Sequence, residues 1–168
     1  RDSKIQGVDI SAGMLDVGRK KITRKGLDPH IPLHLGDGES LPFEAGQFDA
    51  VTVAFGVRNF EHLAQGLVDM KRVLRPGGAL AVLEFSQPER FPFRQFYFAY
   101  FKHILPTIGK WVSKDASAYT YLPASVEAFP YGEGFANKLR DAGYTDITIK
   151  PLTFGIASLY IAHTPNHI

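Results

Sequence analysis

The chain has 168 residues, of which 45% are hydrophobic and 21% are charged, and this composition is typical of a single globular domain. Nineteen Lys and Arg residues are nearly balanced by seventeen Asp and Glu residues, so the charge gives no reason to predict a nucleic-acid-binding protein. The absence of cysteine excludes a disulfide scaffold, a thiolate metal site and a cysteine nucleophile, and it is compatible with the cytoplasm.

The first part of the chain predicts two strands with a helix between them. Residues 5–10 predict a short buried strand that ends in an acid. Ser11 is suited to cap the following helix, and Gly26 is suited to terminate it. A second strand is predicted for residues 31–35.

The middle of the chain repeats this pattern with stronger signals. Residues 49–55 are a β-branched apolar run, which is typical of a central parallel strand. A helix is predicted for residues 63–74, and the Arg-Pro-Gly-Gly run at 75–78 should stop it because proline cannot continue a helix. Residues 79–85 predict the next buried strand. The alternation indicates βαβ units and a parallel sheet.

The last part of the chain departs from this alternation. Residues 91–126 predict an aromatic-rich helical insertion. A final helix is predicted at about residues 132–142, and two strands at residues 146–150 and 153–161 should form an antiparallel edge. The expectation is therefore one α/β domain over residues 1–168.

Three features fall at the carboxyl ends of predicted strands, where open α/β sheets bind their ligands. Asp9 is placed either to accept hydrogen bonds from both ribose hydroxyls of a nucleoside or to cap the following helix. Asp37 and Gly38 are placed either to face an adenine edge or to form an ordinary Asp-Gly turn. Residues 54–59 bring a glycine and a cation, Arg58, to the end of the third strand, which is typical of a site.

Several sequence blocks together resemble a known family. Residues 72–86, RVLRPGGALAVLEFS, resemble the signature of the quinone-biosynthesis C-methyltransferases of the ubiquinone/menaquinone type, with Arg75 where that signature usually has Lys. Four further blocks match the family in the expected order, and they are FGVRN at 55–59, LPTIG at 105–109, YTYL at 119–122 and LTFGI at 152–156. The resemblance covers nearly the whole chain.

The resemblance implies a Rossmann-like, class I methyltransferase fold and S-adenosylmethionine as the methyl donor. The implied acceptor is a ring carbon of a polyprenyl hydroquinone, either demethylmenaquinol or a ubiquinol precursor. Carried over by position, the residues that line the cofactor are Asp9, Ile10, Asp37, Gly38 and Ala54. Ala54 stands where some relatives have Ser, so a hydroxyl contact is lost there.

The resemblance also implies residues that act on the acceptor. Arg58 matches an arginine proposed to help deprotonate the quinol, although a pair with a structural acid is the alternative explanation for it. Asn59 and Tyr119 match acceptor-binding positions. Two departures imply that quinone recognition differs from that of the family, because Ser117-Ala118 and Ala124 replace the family's usual Asp-Ser and Glu.

The family's glycine-rich cofactor loop, and the strand before it, are expected to precede Arg1. In the family that strand lies between the strands predicted at residues 5–10 and 49–55. The chain is therefore expected to be either a fragment or completed by another chain. Two further hypotheses stay open, namely a truncated, inactive domain that acts by binding a partner, and a methyltransferase with another small-molecule acceptor.

The expected partners follow from the aromatic stretch and the histidines. Residues 91–101 contain seven aromatic side chains. They predict a gate for an isoprenoid tail, a face on the inner side of the membrane, a buried helix or a homodimer interface. His30 and His34 flank a proline and lack zinc-binding spacing, so no metal site is expected.

Overall fold

The computed structural model describes residues 4–28, 30–99 and 125–166, and these residues fold as strands with helices packed against them. In chain order the elements are β1 (Gly7–Asp9), α1 (Ala12–Arg24), β2 (Leu33–Leu35), β3 (Phe48–Ala54), α2 (Leu63–Val73), β4 (Leu74–Phe85), α3 (Phe93–Ala99), α4 (Glu133–Asp141), β5 (Thr145–Leu152) and β6 (Ala157–His163). A short 3₁₀ turn lies at Val57–Asn59, and a tight left-handed turn at Thr153–Gly155 joins β5 to β6.

The strands form two sheets. β1 pairs in parallel with β2, and the second sheet has the order β3-β4-β6-β5. β3 and β4 are parallel, whereas β6 runs antiparallel to both β4 and β5. The predicted parallel βαβ units and the antiparallel C-terminal strands are therefore confirmed.

Two strand predictions are wrong in part. Residues 49–55 were expected at the centre of a sheet, but β3 lies at an edge, and Ala50, Thr52 and Ala54 are exposed. Residues 5–10 were expected to be buried, but β1 covers only Gly7–Asp9, which is half-buried. Both strands are edge strands, because among the described residues β1 pairs only with β2 and β3 only with β4. A strand with one neighbour is less covered than a strand between two neighbours.

The local signals at helix ends are confirmed. Ser11 is the N-cap of α1, and its Oγ accepts a hydrogen bond from the backbone N–H of Met14 at 3.3 Å. Gly26 follows α1 with φ of +65°, a conformation that favours glycine. α2 ends at Val73, one residue before the predicted end, and β4 follows directly.

The Arg-Pro-Gly-Gly run ends α2 but lies within β4 as a bulge. Phe48 stands opposite Leu74, and Ala50 stands opposite Ala79, so the four residues 75–78 of β4 face the single residue Asp49 of β3, and β4 carries three extra residues. A proline in such a bulge removes no hydrogen bond from the ladder.

The hydrophobic core lies between the four-stranded sheet and the helices α2 and α4. Its fully buried side chains include Leu67 of α2, Phe135 and Leu139 of α4, Leu80 of β4 and Tyr160 of β6. Burying a side chain of this size stabilises the fold by about 1.5–3 kcal/mol. The core fixes β4, and thereby the loop that precedes α2.

The final strand begins later than predicted. Residues 153–161 were expected to be extended, but Thr153, Phe154 and Gly155 have φ of +49°, +59° and +93°, which is incompatible with a strand. β6 begins at Ala157.

Only part of the predicted insertion can be compared with the structure. α3 confirms helical structure at its start, and residues 125–128 are helical. The predictions for Tyr119, Ser117-Ala118 and Ala124 lie outside the described residues. Within the described part of the chain, no helix is both long and apolar enough to cross a membrane.

Candidate functional site

Asp9 is the last residue of β1, and one of its two carboxylate oxygens bonds to the backbone of the following turn. Oδ1 accepts a hydrogen bond from the backbone N–H of Ser11 at 2.8 Å, and among the described residues no donor reaches Oδ2. Ile10 follows with its side chain 73% exposed, although it is apolar. The local turn therefore holds the carboxylate in place while one oxygen stays available to a ligand.

Asp37 and Gly38 lie at the same end of the two-stranded sheet as Asp9. Leu35, the last residue of β2, pairs with Asp9, and the turn follows two residues later. Asp37 Oδ1 accepts a hydrogen bond from the backbone N–H of Glu39 at 2.9 Å, so the ordinary Asp-Gly turn is present. As at Asp9, the second carboxylate oxygen has no donor among the described residues.

This turn is fixed to α2 by Phe60 and Glu39. A Cβ at Gly38 would lie 2.8 Å from the ring of Phe60, and a Cβ at Gly66 of α2 would lie 2.5 Å from the same ring. The carboxylate of Glu39 accepts hydrogen bonds from the backbone N–H groups of Glu61 at 2.6 Å and His62 at 3.0 Å. A carboxylate is favourable there because the N-terminal end of a helix carries partial positive charge.

Sequence reasoning missed both Phe60 and Glu39. The available signal was Gly66, a glycine inside a predicted helix, which indicates close packing against its backbone. Nothing in the sequence pattern indicates which side chain packs there.

Arg58 lies in the 3₁₀ turn after β3 and is held by its surroundings. Its side chain is 11% exposed, and Nη1 donates hydrogen bonds to Glu84 Oε1 at 3.0 Å and to the carbonyl oxygen of Phe55. Its guanidinium carbon lies 5.3 Å from the centre of the Phe85 ring, a cation–π geometry. Nε is buried, and no acceptor in the described part of the chain bonds to it.

The backbone before Arg58 is strained. Phe55 has φ of +55°, a left-handed conformation that costs a non-glycine residue about 1–2 kcal/mol. Such strain occurs often at functional sites. Here it directs the carbonyl oxygen of Phe55 toward the guanidinium of Arg58.

Glu84 is a fully buried carboxylate at the end of β4. Besides the Arg58 side chain, it accepts hydrogen bonds from the backbone N–H of Arg58 at 3.3 Å and of Phe85 at 2.9 Å. Burying a carboxylate costs several kcal/mol, which a charged partner and further donors must offset. The alternative explanation for Arg58, a pair with a structural acid, is therefore observed, and its role in the chemistry stays a prediction.

A pocket of about 220 Å³ adjoins Arg58. It is lined by Val57, Arg58, Phe60, Leu63, Ser125, Ala128, Phe129 and Pro130. Among the described residues of this lining, which are mostly apolar, Arg58 is the charged one. Such a pocket is suited to a flat ring with a polar edge directed at the guanidinium.

The residues predicted to bind the cofactor fit a nucleoside at the ends of the strands. Asp9 and Asp37 each keep one carboxylate oxygen for hydroxyl or amine donors, and the exposed side chain of Ile10 offers an apolar surface. Ala54 lies at the exposed end of β3. The Phe60 contact joins the Asp37 turn to the segment that carries Arg58.

This architecture is that of the class I S-adenosylmethionine-dependent methyltransferases. It resembles an S-adenosylmethionine-dependent methyltransferase from Aquifex aeolicus with a TM-score of 0.65 at 17% identity, over 95% of this chain and 68% of that chain. At such low identity the likeness concerns the fold alone.

The sequence defines the family more closely. Residues 1–164 match the ubiE/COQ5 methyltransferase family, and the chain belongs to it. A demethylmenaquinone methyltransferase from Bacteroides fragilis is 49% identical over 156 residues, which are 93% of this chain and 64% of that protein. One from Anoxybacillus flavithermus is 40% identical over 163 residues, which are 97% of this chain and 68% of that protein. The chain thus spans about two thirds of the length of these relatives.

Proposed function

We propose that the protein transfers a methyl group from S-adenosylmethionine to a ring carbon of a polyprenyl hydroquinone, with demethylmenaquinol as the acceptor. The observation that carries this proposal is the 49% identity to a demethylmenaquinone methyltransferase over 93% of the chain. The carboxylates at the strand ends and the Arg58 pocket support it.

The cofactor supplies an electrophilic methyl group on a sulfonium sulfur when it is bound. The proposed contacts of this chain are with its nucleoside part. The free oxygen of Asp9 accepts from the ribose, and Ile10 packs against the base. Asp37 and Gly38 border the base, and Ala54 lines the cofactor without a hydroxyl contact.

Arg58 stabilises the acceptor in its reactive form in this proposal. Loss of a phenolic proton to water raises the electron density at the ring carbon that takes the methyl group. That carbon then loses its own hydrogen as a proton to water, and the phenolic oxygen regains a proton, so the ring is again an aromatic hydroquinone. The guanidinium attracts the negative charge that develops on the phenolic oxygen. Arg58 does not take the proton itself, because arginine stays protonated in proteins. Asn59 and Tyr119 remain proposed contacts of the acceptor.

The lipophilic tail of the acceptor, or the membrane surface that holds it, is proposed to meet an aromatic surface next to α3. Phe91, Phe96 and Phe154 are 80%, 69% and 70% exposed, and Phe93 stacks on Phe154 at 4.1 Å between ring centres. Exposed aromatic rings of this number support a lipid-facing surface.

The test is a labelled-methyl assay on the purified protein. It is incubated with S-adenosylmethionine labelled with ¹³C in the methyl group and with reduced demethylmenaquinone in lipid vesicles. The expected product gains one methyl group, whose ¹³C shift is that of a methyl on an aromatic carbon. The oxidised quinone serves as control and should not react, because it has no phenolic proton to lose. Label on oxygen, or no transfer, contradicts the proposal.

A further inference from the structure

The proposed function assigns no role to the buried carboxylate of Glu84. Its side chain is fully buried, at the point where β4 ends beside the 3₁₀ turn of Arg58. A charge at such a position is costly, and an apolar side chain of similar volume often gives a more stable protein. Its presence therefore needs an explanation other than stability.

The contacts of Glu84 converge on Arg58. Oε1 accepts from Nη1 of the Arg58 side chain at 3.0 Å, and Oε2 accepts from the Arg58 backbone N–H at 3.3 Å. One carboxylate thus holds both the backbone and the guanidinium of the same residue. The carbonyl oxygen of Phe55 and the ring of Phe85 complete the enclosure.

The arrangement restricts Arg58 to one orientation. An exposed arginine samples many rotamers and loses rotamer entropy when it must meet a ligand. A guanidinium that is already fixed beside the pocket stabilises a developing phenolate without reorganisation, which is the condition for effective electrostatic catalysis.

We propose that Glu84 is the positioning residue of the reaction: it fixes the guanidinium of Arg58 toward the acceptor pocket. The inference rests on the proposed function of Arg58. Glu84 itself does not contact the acceptor, since it is fully buried behind Arg58.

The test compares Glu84→Gln with Glu133→Gln in the labelled-methyl assay. Glu133 makes the same kind of ion pair, with Arg140 at 3.1 Å, but on an exposed part of α4. Glu84→Gln is expected to lower kcat at least tenfold and to change the Kd for S-adenosylmethionine by less than twofold. Glu133→Gln is expected to leave both unchanged. An unchanged kcat in Glu84→Gln overturns the proposal.

A double variant separates positioning from general destabilisation. In an Arg58→Gln background, Glu84→Gln should lower kcat by no more than a further twofold, because its effect acts through Arg58. Independent, multiplying losses overturn the proposal. If Glu84→Gln does not fold, Glu84→Asp keeps the charge and retracts the acceptor oxygens. A folded Glu84→Asp with full kcat overturns the proposal as well.

A second readout does not depend on activity. The NMR signal of Arg58 Nε–H should exchange slowly in the wild-type protein, because Nε is buried, and Arg58→Gln identifies this signal by its loss. In Glu84→Gln the signal should broaden or disappear. If the wild-type protein transfers no methyl group, the proposed function fails, and this signal alone then decides whether Glu84 fixes Arg58. An unchanged signal overturns the inference.

Discussion

At Asp9 and Asp37, a local role and a ligand-binding role are compatible in one carboxylate. Each uses Oδ1 for a backbone N–H two residues ahead and keeps Oδ2 free of protein donors among the described residues. The sequence predicts the positions of these residues because strand ends can be recognised from apolar runs. It does not predict which carboxylate oxygen bonds to the backbone and which stays free, because this depends on the geometry of the turn.

For Arg58 and Glu84, the sequence indicates each residue as a candidate but does not indicate that the two form a pair. Arg58 is predicted as a candidate because it follows a glycine at a strand end. Glu84 stands 26 positions later in an apolar run, and an acid in such a run is itself a signal of a buried, paired charge. Its partner cannot be predicted from spacing, because parallel strands bring together positions that are distant in sequence.

Asp69 carries a pH-dependent contribution to stability. Burial opposes ionisation, but hydrogen bonds from the Arg72 side chain and the Leu41 backbone N–H outweigh it, so the pKa of Asp69 lies below its usual value. A lowered folded-state pKa gives stability that is fully present above the unfolded pKa and is lost as the pH falls through the folded pKa. The loss therefore falls below about pH 4.

We expect Asp69→Asn to remove this part of the acid dependence. The measurement is the free energy of unfolding by urea between pH 7 and pH 3. Asp16→Asn is the matched control, because Asp16 also pairs with an arginine three residues later but is 67% exposed. Equal pH profiles for Asp69→Asn and the wild-type protein would contradict the assignment.

At the scale of elements, α2 packs against the Asp37 turn through the ring of Phe60, and we call this contact of Phe60 with Gly38 and Gly66 the seam. Its close packing depends on a glycine in α2. Gly66 lies inside α2, and a Cβ there would come within 2.5 Å of two atoms of the Phe60 ring. Helix propensity alone favours alanine over glycine by about 1 kcal/mol. The steric overlap opposes this gain, since overpacking typically costs about 1–3 kcal/mol.

Gly66→Ala is therefore expected to lower the free energy of unfolding, although it improves helix propensity. Gly134 of α4 is the control, because a Cβ there would meet its nearest neighbour, Pro130, at an ordinary 3.5 Å. Gly134→Ala should leave stability unchanged or raise it. A Gly66→Ala protein as stable as the control would show that Phe60 can move at no cost, and the seam would not be rigid.

The elements themselves differ in how far the sequence predicts them. The end of α2 is predicted to within one residue, whereas β4 begins at Leu74, five residues before its predicted start, because the Arg-Pro-Gly-Gly run lies within β4 as a bulge. The start of β6 is not predicted, because Thr153 and Phe154 adopt left-handed conformations that their residue types disfavour. Tertiary contacts, including the stacking of Phe154 on Phe93, accompany that departure.

At the scale of the whole molecule, the candidate site has two parts among the described residues. The two-stranded sheet carries the carboxylates proposed for the cofactor, and Arg58, which follows β3 of the four-stranded sheet, adjoins the pocket proposed for the acceptor. The Phe60 and Glu39 contacts connect the parts. The α/β class, the parallel pairing and the antiparallel end are predicted from the sequence. The separation into two sheets falls between β1 and β3, where the resemblance implies a further strand of the family.

Because the two parts carry different residues, cofactor binding and turnover should be separable by substitution. The decisive measurement is the Kd for S-adenosylmethionine by calorimetric titration, with kcat from the labelled-methyl assay on the same preparations. Asp9→Ala should raise the Kd at least tenfold, because a ribose acceptor is lost. Arg58→Ala should lower kcat at least tenfold and leave the Kd within twofold. Equal losses in both quantities for Arg58→Ala, or an unchanged Kd for Asp9→Ala, would contradict the account.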